Sequence, residues 1–268
     1  MSERVIYTIE NGVADVRMNR PEKMNALDSA MFEGLIKTGR ELSGNKSLRA
    51  VVLSGEGRAF CAGLDFLSFQ AMAGDAERPA RDLMEQDPNS PANFAQAAAF
   101  VWNELPVPVI AAIHGVAFGG GLQVALGADI RFVAPDARLS VMEIKWGLVP
   151  DMSGTQTMRH LVPLDVAKEL AFTGREILGE EAVRLGLATH VSEKPFEAAM
   201  ELAHEIAVKS PDAVRAAKKL MNSTRLMGLE EGLKLEAQLQ GSIIGKPNQI
   251  EAVQSNIQRR DPNFSDPE

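Results

Sequence analysis

The chain has 268 residues, 45% hydrophobic and 24% charged, with a formal net charge of -8. That length suits one large domain or a core with a subdomain, and at this size roughly 70–75% of the unfolded surface can be buried without help from disulfides or metals. The acidic balance offers no basic face to follow a phosphate backbone, which counts against nucleic-acid binding but leaves room for a local cationic pocket.

The single cysteine, Cys61, rules out an intramolecular disulfide and fits a reducing compartment. "MSERVIYTIENG" holds no apolar core of a signal peptide, no window approaches 18 uninterrupted apolar residues, and "SDPE" is neither a prenylation nor a peroxisomal signal. The expectation is a soluble, cytoplasmic protein without a membrane span, an organelle matrix being the other option.

Taken in order, "RVIYTIENGVADVRMN" gives two β runs around Asn11-Gly12, a strong hairpin signal. Asp28 caps a predicted helix whose apolar face, Met31, Leu35 and Leu42, runs out near Gly44. "RAVVLSG" and "PVPVIAAIHG" read as buried strands, and "GGGLQVALGADIRFVA" as a short helix followed by a strand. Helices between apolar strands predict β-α-β crossovers and a partly parallel sheet covered on both faces. Residues 66–98 mix Gly, Pro, Asn and charge and read as a surface lid or mobile loop. From about residue 163 onward the segments read as consecutive helices joined at Gly, Ser or Pro. The whole is an α/β core followed by an all-helical C-terminal part.

Two segments leave a buried strand through small residues: "SGEGRAFCAGLDF", residues 54–66, and "IHGVAFGGGLQVALGADI", residues 113–130. Glycine lets backbone N–H groups approach a ligand, and a helix starting near Gly120 would aim free N–H groups and its positive end at a bound oxygen. Two such loops meeting at one point would form an oxyanion hole, although a triple glycine before a helix is more often a tight turn. Neither segment matches the dinucleotide fingerprint or the P-loop. In "SVMEIKWGLVPDMSGTQ" the acids Glu143 and Asp151 lie eight positions apart, and read locally they are surface carboxylates.

The ordered set "NRPEKMNALD", "GRAFCAGLD", "PVIAAIHGVAFGGGLQVALGADIRFVA", "EIKWGLVPDMSGTQ" and "AFTGREILGEEAVRLGLA" resembles the crotonase family, also called enoyl-CoA hydratase/isomerase, over nearly the whole chain. The resemblance implies a β-β-α superhelix core of packed sheets over residues 1–195 and a helical trimerisation region over residues 196–268. It implies an acyl-CoA thioester as substrate and partner, with no separate cofactor, since coenzyme A belongs to the substrate. The oxyanion donors would be the backbone N–H groups of Leu64 and Gly120. Adenine and pantetheine contacts fall around Ala26, Ala62 and Asp65, with Lys23 and Arg58 as phosphate partners or else solvated surface cations. Phe66 and Trp146, with Met142, Met152 and Phe118, read either as acyl-pocket lining or as core.

Hydratases of the family use two glutamates. The second is present here as Glu143, but the first is replaced by Gln123, which can orient a water or substrate yet cannot exchange a proton. The acid at 151 resembles the dienoyl-CoA isomerase branch, where a Glu and an Asp pass protons to and from different carbons, although that branch usually has an aspartate in place of Gln123. A dehalogenating branch lacks the glutamate, so Glu143 argues against it. The implied function leans to double-bond isomerisation, with 2-enoyl-CoA hydration or a non-catalytic acyl-CoA-binding role as alternatives. A buried carboxylate here is expected to have a raised pKa.

His114, His160, His190 and His204 sit singly, without ligand spacing, so no metal is expected; His114 reads as a packed or loop-stabilising residue and Cys61 as a small core residue. The C-terminal helices are amphipathic. The resemblance implies a homotrimer or dimer of trimers in which a neighbour's Arg259, Arg260 and Phe264 help close the CoA pocket.

Overall fold

Strands β1 (Val5–Glu10) and β2 (Val13–Met18) pair antiparallel, from Val5 opposite Met18 to Glu10 opposite Val13, in the computed structural model, which describes residues 3–65, 83–86 and 90–267. Asn11 and Gly12 between them both take positive φ, 50° and 79°, as a two-residue hairpin turn requires. Helix α1 (Ser29–Ser43) follows; the Asp28 carboxylate accepts the Met31 N–H at 2.9 Å, and Met31, Leu35 and Leu42 are buried as their spacing predicts.

From β2 onward the main sheet is parallel. β3 (Ala50–Gly55), β4 (Val109–Ile113), β6 (Ile130–Val133) and β9 (His190–Val191) add in turn, giving the order β1-β2-β3-β4-β6-β9. A second, three-stranded sheet is built from β5 (Val116–Phe118), β7 (Arg138–Ser140) and β8 (Ile177–Leu178). The chain repeatedly passes from a main-sheet strand to the second sheet and then to a helix. β4 leads to β5 and helix α3 (Gly120–Leu126), and β6 leads to β7 and the 3-10 turn Glu143–Trp146. This is the β-β-α repeat that the sequence pointed to.

Both faces of the main sheet are covered, so its strands carry continuous apolar runs. Val51 and Leu53 face the larger cluster with helices α1, α2 (Phe94–Glu104) and α3; Ala50, Val52, Ile110 and Ala112 face helix α7 (Pro195–Ala207) through its Ala199 and Ala203. Each large side chain removed from water there contributes roughly 1.5–3 kcal/mol. The remaining helices are α4 (Gly154–Met158), α5 (Leu164–Thr173), α6 (Gly179–Leu185), α8 (Pro211–Thr224), α9 (Leu229–Ile243) and α10 (Pro247–Gln258).

Two sequence expectations are corrected. Residues 94–98, read as part of an irregular lid, begin α2, whose Asn93 and Gln96 form a reciprocal capping box at 2.9 Å in both directions. The region after residue 163 is not wholly helical, since β8 and β9 lie within it. Both are two residues long, too short for periodicity, and are extended because β7 and β6 offer them partners.

Candidate active site

Residues 61–64 run as an extended segment beside the second sheet, with Cys61 bridging Ala117 and Leu64 bridging Leu27, both in parallel sense. At Gly63, φ is 88° and a Cβ would lie 2.6 Å from the Phe118 carbonyl oxygen, so the two glycine loops approach each other closely there. Across that contact, Gly119 donates its N–H to the Ser140 carbonyl at 2.9 Å and turns the chain into α3. Among the described residues no backbone carbonyl accepts the N–H of Leu64 or of Gly120, and both residues line one cavity. The two glycine loops thus meet beside this cavity.

That cavity is about 310 Å³ in volume. Its wall is largely apolar, including Phe32, Leu83, Phe118, Met142, Trp146, Leu148 and Met152, and its ionisable or amide side chains are those of Gln123, Glu143 and Asp151. An apolar enclosure with a few convergent polar groups is the usual form of a small-molecule site.

Glu143 opens the 3-10 turn after β7 and is only 8% exposed, not the surface carboxylate that local reading gives. Its Oε1 accepts the Gln123 side-chain N–H at 2.6 Å, whereas its Oε2 is buried without a hydrogen-bond partner among the described residues. Burial pushes its pKa up, the Gln123 donor opposes this, and the nearby charge of Asp151 adds to the rise. Asp151 sits exposed at the cavity rim, yet the surrounding protein also raises its pKa by desolvation. Gln123, on α3, is held from its other side by the N–H groups of Met152 and Gly154, which donate to its oxygen at 2.8 and 3.0 Å. The arrangement sets two perturbed carboxylates, one of them bonded to the Gln123 amide, on a cavity that Leu64 and Gly120 also line.

The remaining predicted residues divide. Ala62 and Trp146 line the cavity; Phe66 lies outside the described residues. Ala26, Asp65, Lys23 and Arg58 do not line it. Asp65 instead forms a buried ion pair with Arg20, whose guanidinium also donates to the Ala26 carbonyl at 3.1 Å. Its carboxylate therefore braces the loop. Lys23 and Arg58 are exposed, on turns that approach each other where Gly57 abuts Pro21, and the Ala62 N–H bonds the Met24 carbonyl at 2.9 Å. Arg260 pairs with Glu251 of its own chain.

Sequence reasoning passed over Asn25 and Arg20, although both stand in "NRPEKMNALD". Asn25 is fully buried at φ 55°, accepts the Arg20 backbone N–H at 2.8 Å, and turns its amide nitrogen toward the carbonyls of Glu56, Ala59 and Phe60 at 2.9, 2.8 and 3.2 Å. It thus holds the turn that feeds residues 61–64. The available signal was an asparagine among helix-formers, a residue type that tolerates left-handed backbone. His114 stabilises the same turn through a 3.0 Å contact of Nε2 with the Gly57 carbonyl, and the Cys61 thiol, fully buried, has its pKa pushed up to about 12. Among the described residues no three His, Cys, Asp or Glu side chains gather as a metal site would require. No helix among them is long and apolar enough to cross a membrane.

Residues 8–267 match the family model described as enoyl-CoA hydratase/isomerase. The chain is 31% identical over 268 residues to the mitochondrial Delta(3,5)-Delta(2,4)-dienoyl-CoA isomerase of Mus musculus, covering 96% of this chain and 80% of that protein. It is 30% identical over 262 residues to the short-chain-enoyl-CoA hydratase of Clostridium acetobutylicum, covering 96% and 95%. The crystal structure of an enoyl-CoA hydratase from Bacillus anthracis superposes with a TM-score of 0.88 at 31% identity, covering 97% of this chain and 98% of that one. The fold is therefore that of the crotonases, and the chain belongs to the enoyl-CoA hydratase/isomerase family.

Proposed function

We propose that this enzyme moves a double bond along an unsaturated acyl-CoA thioester. One carboxylate removes a proton from a carbon conjugated with the thioester, the electron pair shifts onto the carbonyl oxygen, and the N–H groups of Leu64 and Gly120 stabilise the resulting enolate. Such fixed donors are typically worth about 2.7–4 kcal/mol each. Collapse of the enolate takes up a proton at another carbon, so the product is an isomer of the substrate. Glu143 and Asp151 are the acid–base groups, and their upward pKa shifts suit proton exchange nearer neutrality. The observation carrying this reading is that both carboxylates border one apolar cavity while Gln123, the third polar side chain there, cannot ionise.

Hydration of a 2-enoyl-CoA is the second reading, supported by Oε2 of Glu143, a buried oxygen with no hydrogen-bond partner among the described residues. Lys23 and Arg58 are read as partners of the CoA phosphates, and the reducing compartment implied by the single cysteine as the cytoplasm. The chain is further read as a trimer or dimer of trimers. Exposed Leu226, Leu229, Leu233 and Ile257 near or on the last helices support that assembly.

The test is product mass after incubation with 2-enoyl-, 3-enoyl- and 3,5-dienoyl-CoA thioesters. Unchanged mass with a shifted retention time is the expected result, and a gain of one water from the 2-enoyl substrate selects hydration instead. Glu143→Gln should abolish turnover and leave CoA binding nearly intact, while Asp151→Asn should damage isomerisation far more than hydration, by about a hundredfold for a lost acid–base group.

A further inference from the structure

The amide of Gln123 is oriented by its surroundings. Its oxygen accepts two backbone N–H groups, from Met152 at 2.8 Å and Gly154 at 3.0 Å, so its NH2 must face Glu143. Reversing the amide would set NH2 against both donors and its oxygen against a carboxylate oxygen. The fit is close, because a Cβ at Gly154 would come within 2.7 Å of the Gln123 oxygen. The NH2 then donates to Oε1 of Glu143 at 2.6 Å, so Oε1 acts as an acceptor whether or not the carboxyl is protonated. A proton on Glu143 therefore belongs on Oε2, the buried atom with no partner among the described residues.

We infer that Gln123 is a positioning residue that dedicates Oε1 of Glu143 to accepting a hydrogen bond, assigns the transferred proton to Oε2, and ties the loop after Asp151 to the same point. This rests on the reading of Glu143 as an acid–base group and deepens it. A glutamate at 123 would place two carboxyl oxygens at this separation, forcing the pair to share a proton. The glutamine removes that competitor, and Asp151 is the charged group that bears on Glu143.

The experiment uses the full chain and three variants, Gln123→Met, Gln123→Glu and Glu143→Gln. Infrared spectra taken across an acid titration identify the protonated Glu143 carbonyl band as the one lost in Glu143→Gln. In the wild type Oε1 is a hydrogen-bonded carbonyl, so the band should move to higher wavenumber in Gln123→Met. In Gln123→Glu it should appear at higher pH, as the shared proton is held. Loss of one hydrogen bond to a charged group should lower kcat in Gln123→Met about ten- to a hundredfold, with KM little changed. Coincident bands in the wild type and Gln123→Met overturn the assignment, as does an unaltered titration in Gln123→Glu should Gln123→Met fail to fold. If the wild type turns over none of the thioesters, the proposed reaction falls while the band shift still reports on the hydrogen bond.

Discussion

Among single residues of the cavity, Glu143 sets burial against charge, since desolvation is the main cause of its raised pKa. Its pKa is raised above the unfolded value, so folding binds its proton more tightly. The stability that this supplies is complete below the unfolded pKa and is lost as pH rises through the folded one. Glu143→Gln, neutral throughout, should therefore melt higher than the wild type at alkaline pH, with the gap closing on acidification. Thermal melts across the pH range check this; a constant difference would mean that folding does not shift the Glu143 pKa. The variant also trades activity for stability, as expected of a group kept for chemistry. Little of this was legible locally, because the neighbours of the Glu143 carboxylate, Gln123 and Gly119, lie twenty or more positions earlier on another part of the chain. Leu64, Gly120 and Ala62, named through the resemblance, line the cavity, since backbone and small-residue positions follow the fold. The Asp65 carboxylate is turned to Arg20 instead, because a side chain's direction depends on its partner.

At the level of elements, α8 is attached by an ion pair rather than by apolar contact alone. Lys218 Nζ lies 2.7 Å from Asp129 and also donates to the carbonyls of Trp102 and Val107 at 3.2 and 2.9 Å, and Asp129 in turn accepts the Val109 N–H at 2.8 Å. One lysine thus joins α8 to the end of α2 and the start of β4. Lys218→Met should cost about 3–5 kcal/mol, because it leaves Asp129 and two carbonyls without their donor. Denaturant titration measures it, and Lys218→Met with Asp129→Asn should recover part of the loss. Strong local signals were readable at this scale: the Asn11-Gly12 turn, the Asp28 cap, and the β-branched runs of β3 and β4. What escaped was either very short, as β8 and β9 are, or masked by its neighbours, as with the α2 cap at the edge of a Pro- and Asn-rich stretch.

For the whole molecule, the apolar side chains left on the last helices bear on assembly. Light scattering at micromolar concentration should give about 87 kDa or twice that, three or six times the 29.0 kDa chain. A monomer mass would overturn the trimer. The other face of the main sheet bears on how the protein is made. Every described cavity residue has left the ribosome by Met152, but Ala50, Val52, Ile110 and Ala112 wait for α7, which ends at Ala207. A fragment of residues 1–195 should therefore precipitate on expression although it contains every described cavity residue, while one extended through residue 210 should be markedly more soluble. In the cell, translation beyond the last cavity residue carries a growing chain with an uncovered sheet, and the interval before α7 emerges is when it would most need a chaperone.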